Sequence, residues 1–214
     1  MKTPEFICIE LLSDSTFSRG EGTAGVVDVE VDHDELGLPF LGGKALRGLL
    51  HDSWLSMAPS FKAYKELQYS AERILGKDFD LAESSILRIG DAEVDAETRK
   101  WIQGAEYREK KPVSPSMVLQ ALTDIRHQTA EERKTGAPAK TTLRAVRVLM
   151  RTLTLDSPLC WLDSPSKDDC RCLALMLLAT RHAGLGRNRG RGHIRLTLDG
   201  DAVATVRIAK GELL

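Results

Sequence analysis

The 214-residue sequence predicts an α+β fold of the ferredoxin-like (RRM-like) kind, a βαββαβ core within a single domain 1–214. Three observations predict it. The long elements run strand, helix, strand, strand, helix, strand; two segments, near residues 43–57 and 166–184, carry apolar residues at helical spacing; the strand segments alternate or run apolar. A chain that is 42% hydrophobic and 29% charged can bury a core, and no linker argues for a second domain.

FICIELLSD (Phe6 to Asp14) is the first strand. A Gly-rich connector leads to VVDVEVD (Val26 to Asp32), whose strict alternation predicts a strand with Asp28, Glu30 and Asp32 on one face. GKALRGLLHDSWLSM (Gly43 to Met57) places Ala45, Leu46, Leu49, Leu50 and Trp54 at helical spacing, and Ser60 to Leu75 gives a second helix capped by Ser60. SILRIGDAEV follows as a strand. Ser114 as N-cap and Pro115 at the first helical position predict a helix over SPSMVLQALTDI. It delivers the chain into RHQTAEERKTGAPAKTTLRA, which has almost no large apolar residues and reads as an exposed arm. AVRVLMRTLTLD (Ala145 to Asp156) is the next core strand. Ser166 to Gly184 is the second core helix, capped by Ser166, with Asp168 and Asp169 at its positive end and Gly184 ending it. HIRLTL and AVATVRI read as closing strands. Insertions at about 24–40 (an acidic hairpin) and 95–142 (a helical region and the arm) decorate the core.

Lys+Arg 30 against Asp+Glu 31 leaves a formal net charge of -1, so the chain is not a generic basic binder of nucleic acid. The charge is sorted locally instead. Val27 to Gly37 is acidic, while Arg126 to Arg151 and Arg181 to Arg195 are basic, which points to one face for phosphate. The N-terminus reads as a strand rather than a signal peptide, and no apolar run approaches a membrane span, so a cytoplasmic location is expected. Cys8, Cys160, Cys170 and Cys172 lack zinc spacing and are expected to be reduced thiols.

The densest signal is HAGLGRNRGRGHIRL (His182 to Leu196), with four glycines and with Arg187, Arg189, Arg191 and Arg195. It follows a helix and precedes a strand, so it is neither a P-loop nor a dinucleotide fingerprint. A helix-capping turn needs one or two glycines and no particular number of arginines. Glycines interspersed with arginines let backbone N–H groups and guanidinium forks reach the same chain of phosphates, so a nucleic-acid backbone contact is expected. Lys44 and Arg47, three apart at the start of the first helix, are expected to add to it.

Ser18 to Leu50 resembles the N-terminal signature of the RAMP superfamily of CRISPR effector complexes: an acidic hairpin, then a Leu-Pro element, then a Lys/Arg-bearing first helix. Leu122 to Leu149 is similar to that family's thumb, and GLGRNRGRGHIRL resembles its C-terminal glycine-rich loop. The pattern is closest to the type III branch, including the type III-D proteins. The resemblance implies a guide-RNA-binding subunit of a type III ribonucleoprotein for antiviral defence. Its expected partners are guide RNA, target RNA, other RAMP subunits and the large subunit of the complex, with no membrane. It implies RNA contacts at Lys44, Arg47, Arg187, Arg189, Arg191 and His193, and at Arg126 and His127 on the thumb.

In RAMP subunits that cleave target RNA, an aspartate ahead of the Leu-Pro element is required with a divalent metal, and that position falls on Asp28. By this resemblance Asp28 is the candidate catalytic and metal-binding residue, with Mg²⁺ or Mn²⁺ as cofactor. The run after it, VEVDHDEL, departs from the family's aliphatic one. Three alternatives stand beside target cleavage: a non-catalytic scaffold, a subunit capping the guide 5′ end, and a guide-processing endoribonuclease. For the last, the candidate acid–base groups are His33, His51, His127, His182 and His193, with His193 first.

Overall fold

Strand β1 (Phe6–Leu11) buries Ile7, Ile9 and Leu11 completely, or nearly so, while Phe6, Cys8 and Glu10 on its other face are only half-buried. The computed structural model describes residues 2–18, 20–60, 64–76, 85–104 and 113–212. Around β1 the chain builds a four-stranded antiparallel sheet with β2 (Leu87–Ile89), β5 (Thr154–Trp161) and β6 (Ile194–Leu198), in the order β2-β5-β1-β6. Strands β3 (Thr123–Gln128) and β4 (Arg144–Leu149) form a separate antiparallel hairpin. Without that hairpin, the sheet order is the one a βαββαβ ferredoxin-like core requires.

Helices α1 (Gly43–Met57) and α2 (Tyr64–Leu75) connect β1 to β2, and α5 (Lys167–Ala179) connects β5 to β6. Leu46, Leu50 and Trp54 of α1, Leu67 and Ile74 of α2 and Leu173 and Leu177 of α5 close over Ile7, Ile9 and Leu155 in one continuous core. The local signals of α5 are strong: Ser166 accepts from the Asp169 N–H and Asp169 accepts from the Ser166 N–H, a full capping box. Helices α3 (Ala96–Gln103) and α4 (Pro115–Leu122) lie in the 95–142 insertion; α4 starts as expected, with Ser114 accepting from Met117 N–H and Pro115 in its first turn.

Three expectations are corrected, and a fourth falls partly outside the described residues. Ala145 to Asp156 is not one strand: it breaks at Arg151–Thr152, so β4 belongs to the hairpin and β5 to the core. AVATVRI is not a strand but helix α6 (Ala202–Lys210), because Asp201 caps Ala204 N–H and Thr205, Ile208 and Ala209 share the face packed on α5. That packing outweighs the β-preference of its valines and isoleucine. Helix α5 ends at Ala179 rather than at Gly184, since the extended Thr180 turns its hydroxyl back onto Met176 O and Ser53 Oγ. Ser60 closes a short 3₁₀ turn (Ala58–Ser60), and α2 is described from Tyr64; residues 61–63, where that helix was expected to continue from Ser60, lie outside the described residues.

The acidic segment also departs from strict alternation. Val27, Glu30 and Val31 are buried while Asp28 is exposed, and the segment makes only isolated bridges, including Val29 to Val146 of β4. Asp28, Glu30 and Asp32 therefore do not form one solvent-facing acidic stripe.

Candidate functional site

The Gly/Arg segment joins the end of α5 to β6 as a pinned loop. All four of its glycines, Gly184, Gly186, Gly190 and Gly192, have positive φ, between 68° and 80°. Two of them are also required for space: a Cβ on Gly184 would stand 2.4 Å from Thr16 O, and one on Gly192 would stand 2.0 Å from Ala183 O. Backbone bonds hold the stem, with Ala183 N–H to Gly192 O and Ile194 N–H to Arg181 O, and tie it to the core through Leu185 N–H to Thr16 O and Gly192 N–H to Asp14 O. His182 and His193 face each other across this stem, their rings stacked at a centroid distance of 5.2 Å.

A fixed stem thus presents a cationic tip. Arg187 and Arg189 are exposed and Arg191 is half-buried, and among the described residues none of the three has a carboxylate partner. The loop borders three clefts. One lies between Gly184–Leu185, Lys44, Gly48 and Asp32; another between Gly190–Arg191, Arg126, Arg151 and Asp14; a third between Arg187–Asn188, Arg181, His182 and the second half of α1.

The remaining predicted residues divide. Lys44 is exposed on the first cleft. Arg47 is not beside it: its guanidinium donates to Leu75 O at the end of α2, and burial, followed by the charge of Arg88, lowers its pKa from the ordinary arginine value. The N-terminus of α1 is likewise taken, by Asp91, whose carboxylate accepts the Gly43 N–H at 2.7 Å. Gly43 is needed there because a Cβ would lie 2.3 Å from Ile89 O. Arg126 stands on β3 beside the second cleft, paired with Asp14 at 3.0 Å and Asp124 at 3.2 Å, and His127 next to it is exposed. The hairpin β3–β4 carries an exposed loop from Thr129 to Leu143, which sets Arg133, Lys134 and Lys140 in solvent.

Asp28 sits at the base of that hairpin. Its Oδ2 accepts the Ala145 N–H at 2.7 Å and its own N–H donates to Ala145 O, so it docks the acidic segment on the start of β4. The side chain is otherwise exposed, and among the described residues no group of three or more His, Cys, Asp or Glu is arranged to hold a metal ion. Asp28 would supply only one ligand to an ion of the Mg²⁺ type, the others having to come from water and substrate phosphates.

One residue pair escaped the sequence reading. Glu30 and Arg147, both nearly fully buried, form an ion pair at 2.6 Å; Glu30 also accepts from Thr23 Oγ1 and Val31 N–H, and Arg147 donates to Thr123 Oγ1. This pair joins the acidic segment to the hairpin base. The only signal in the sequence was the central position of Glu30 in an apolar-flanked run.

The model of the RAMP superfamily matches residues 8–195, nearly the whole chain, including the acidic segment, the hairpin and the glycine-rich loop. The chain belongs to the RAMP superfamily. A search of curated proteins gave no match. Among solved structures, this RAMP chain is similar to a chain in a cryo-EM structure of a type III-B Cmr-beta complex bound to cognate target RNA, with a TM-score of 0.64 at 13% identity, covering 91% of this chain and 96% of that one. It is similarly close to a chain of the apo state of type III-B Cmr-beta, with a TM-score of 0.63 at 12% identity over 92% and 97% of the two chains. At such identity the likeness speaks for the fold. No helix among the described residues is long and apolar enough to cross a membrane.

Proposed function

We propose that this RAMP protein is an RNA-holding subunit of a type III CRISPR effector ribonucleoprotein. It binds guide RNA along the Gly184–Gly192 loop and the thumb hairpin, and it assembles with target RNA, further RAMP subunits and the large subunit. The observation that carries the reading is the loop: four left-handed glycines fix a turn whose arginines have, among the described residues, no carboxylate to neutralise them, between clefts that also hold Lys44 and Arg151. The family match and the cryo-EM relative bound to target RNA support it.

The test is the salt dependence of RNA binding. Replacing Arg187, Arg189 and Arg191 together by alanine weakens binding to single-stranded RNA with little regard to sequence, and the slope of log K against log salt falls by about 0.7 for each phosphate that is no longer neutralised. An unchanged slope removes the loop from the RNA path.

Cleavage of the target is a second reading, favoured by the exposed Asp28 carboxylate at the thumb base. Asp28 would hold the divalent ion by its free oxygen, and an ion there supplies charge neutralisation at the scissile phosphate. The chain's own share is to keep that oxygen fixed, which the Ala145 N–H does. Guide processing by His193 gains less, because that ring is stacked against His182.

A further inference from the structure

The third cleft is not needed to follow a phosphate backbone. It has a volume of about 840 Å³, within the size range of sites that enclose small molecules, and its walls are of two kinds. Leu49, Leu55 and Met57 of α1, with Ala179 at the end of α5, make an apolar floor; Leu55 is 51% exposed. Arg181, His182 and Arg187 stand on the loop side, and Asp52 lies on the α1 side.

An occupant must therefore be flat or apolar over one part and anionic over another, with a donor for Asp52. An RNA nucleotide has these parts: a base with amino or imino hydrogens, and a phosphate. Leu49 and Asp52 also line the first cleft, beside Lys44 and Gly184, so the two clefts adjoin at these residues. A base turned out of a strand lying along Lys44 and Gly184 enters this one. His182 is suited to receive it. It pairs with His193 across an antiparallel bridge whose flanking bonds, Ala183 N–H to Gly192 O and Ile194 N–H to Arg181 O, mark the closely spaced, non-hydrogen-bonded type. His193 backs the ring at 5.2 Å with 23° between planes, so a π surface is already ordered before a base arrives.

We infer that the cleft between the second half of α1 and the Arg181–Asn188 segment is a base pocket, which takes one unpaired base of the bound RNA strand against His182 and the Leu49–Leu55–Met57 floor. This rests on the RNA-holding reading and adds to it a contact that senses bases as well as phosphates.

The experiment uses the full chain and two fluorescent RNA oligomers of equal length, one normal and one abasic throughout, measured by polarisation. His182→Ala is expected to weaken binding of the normal oligomer about tenfold, the scale of removing one base stack, and to leave the abasic oligomer unchanged. His182→Phe keeps the ring without its nitrogens and retains most of the affinity. Leu55→Ser, an exposed change that spares the core and adds no charge, also weakens only the normal oligomer. Equal weakening of both oligomers by His182→Ala makes His182 a phosphate contact and overturns the pocket, as does no effect on either. A nucleoside monophosphate that binds as tightly as the strand overturns it in favour of a free-nucleotide site. If wild-type protein binds neither oligomer, or the triple arginine variant binds both normally, it is the RNA-holding reading that fails.

Discussion

Glu30→Gln isolates the buried ion pair that joins the acidic segment to the base of the β3–β4 hairpin. Glutamine keeps the shape, an Oε1 acceptor for the Val31 N–H and, in place of Oε2, an amide that can donate to Thr23 Oγ1, yet it removes the charge opposite Arg147, which is only 6% exposed. Arg147 cannot move to solvent without leaving its bond to Thr123 and breaking the register of β4, where it faces Ile125. The folded state then holds an uncompensated guanidinium, and breaking such a pair from one side costs about 3–5 kcal/mol. For a chain of this size that lowers Tm by about 6–20 °C. Urea unfolding followed by far-UV circular dichroism measures the loss directly. The exposed Glu10–Arg195 pair is the internal comparison: Glu10→Gln is expected to cost less than about 1 kcal/mol. The double change Glu30→Leu with Arg147→Met should recover most of the stability, because it removes both charges from the interior. A loss from Glu30→Gln no larger than that from Glu10→Gln would refute the claim that this pair holds the hairpin in place.

Further outcomes follow from the same geometry. Gly192→Ala, whose Cβ would meet Ala183 O at 2.0 Å, should destabilise well beyond Gly190→Ala, where the space is open and only the left-handed backbone costs about 1–2 kcal/mol; thermal melts of the two variants check this. Burial pushes the Cys8 and Cys170 thiols up to about 11 and Cys172 up to about 12, while Cys160 is exposed, so a thiol reagent at pH 8 should modify one cysteine in the folded chain and all four in denaturant. Asp28→Asn keeps an acceptor for the Ala145 N–H but loses the charge, so under the cleavage reading it spares RNA binding and abolishes target cutting in Mg²⁺ or Mn²⁺, with Asp32→Asn as control; full-rate cutting by Asp28→Asn assigns the chemistry elsewhere.

The core was legible where local signals and packing agree. Ser166 with Asp169, Ser114 with Pro115, and the alternation of Ile7, Ile9 and Leu11 each specify their element within a few residues, and the βαββαβ order follows from them. Reading failed where tertiary contacts decide. AVATVRI looks like a strand until Asp201 caps it and α5 covers its Thr205–Ile208–Ala209 face. Val26 to Asp32 alternates, but Arg147, more than a hundred residues away, draws Glu30 inward. The glycine-rich loop was readable as a candidate site because its composition exceeds what a turn requires. Its geometry was not: only the fold reveals that Gly184 and Gly192 are sterically demanded, that Asp91 takes the α1 terminus, and that Arg47 serves Leu75. The His182–His193 pair was invisible for the same reason, since it is made by a stem eleven residues apart in sequence.

The central claim, that the chain holds guide RNA, is tested most directly by sequencing the RNA that copurifies with the protein from its native cells. The expected result is a population of uniform length that carries repeat-derived sequence and disappears in the Arg187, Arg189 and Arg191 triple variant. Bulk cellular RNA without that signature, or the same RNA retained by the variant, would contradict it.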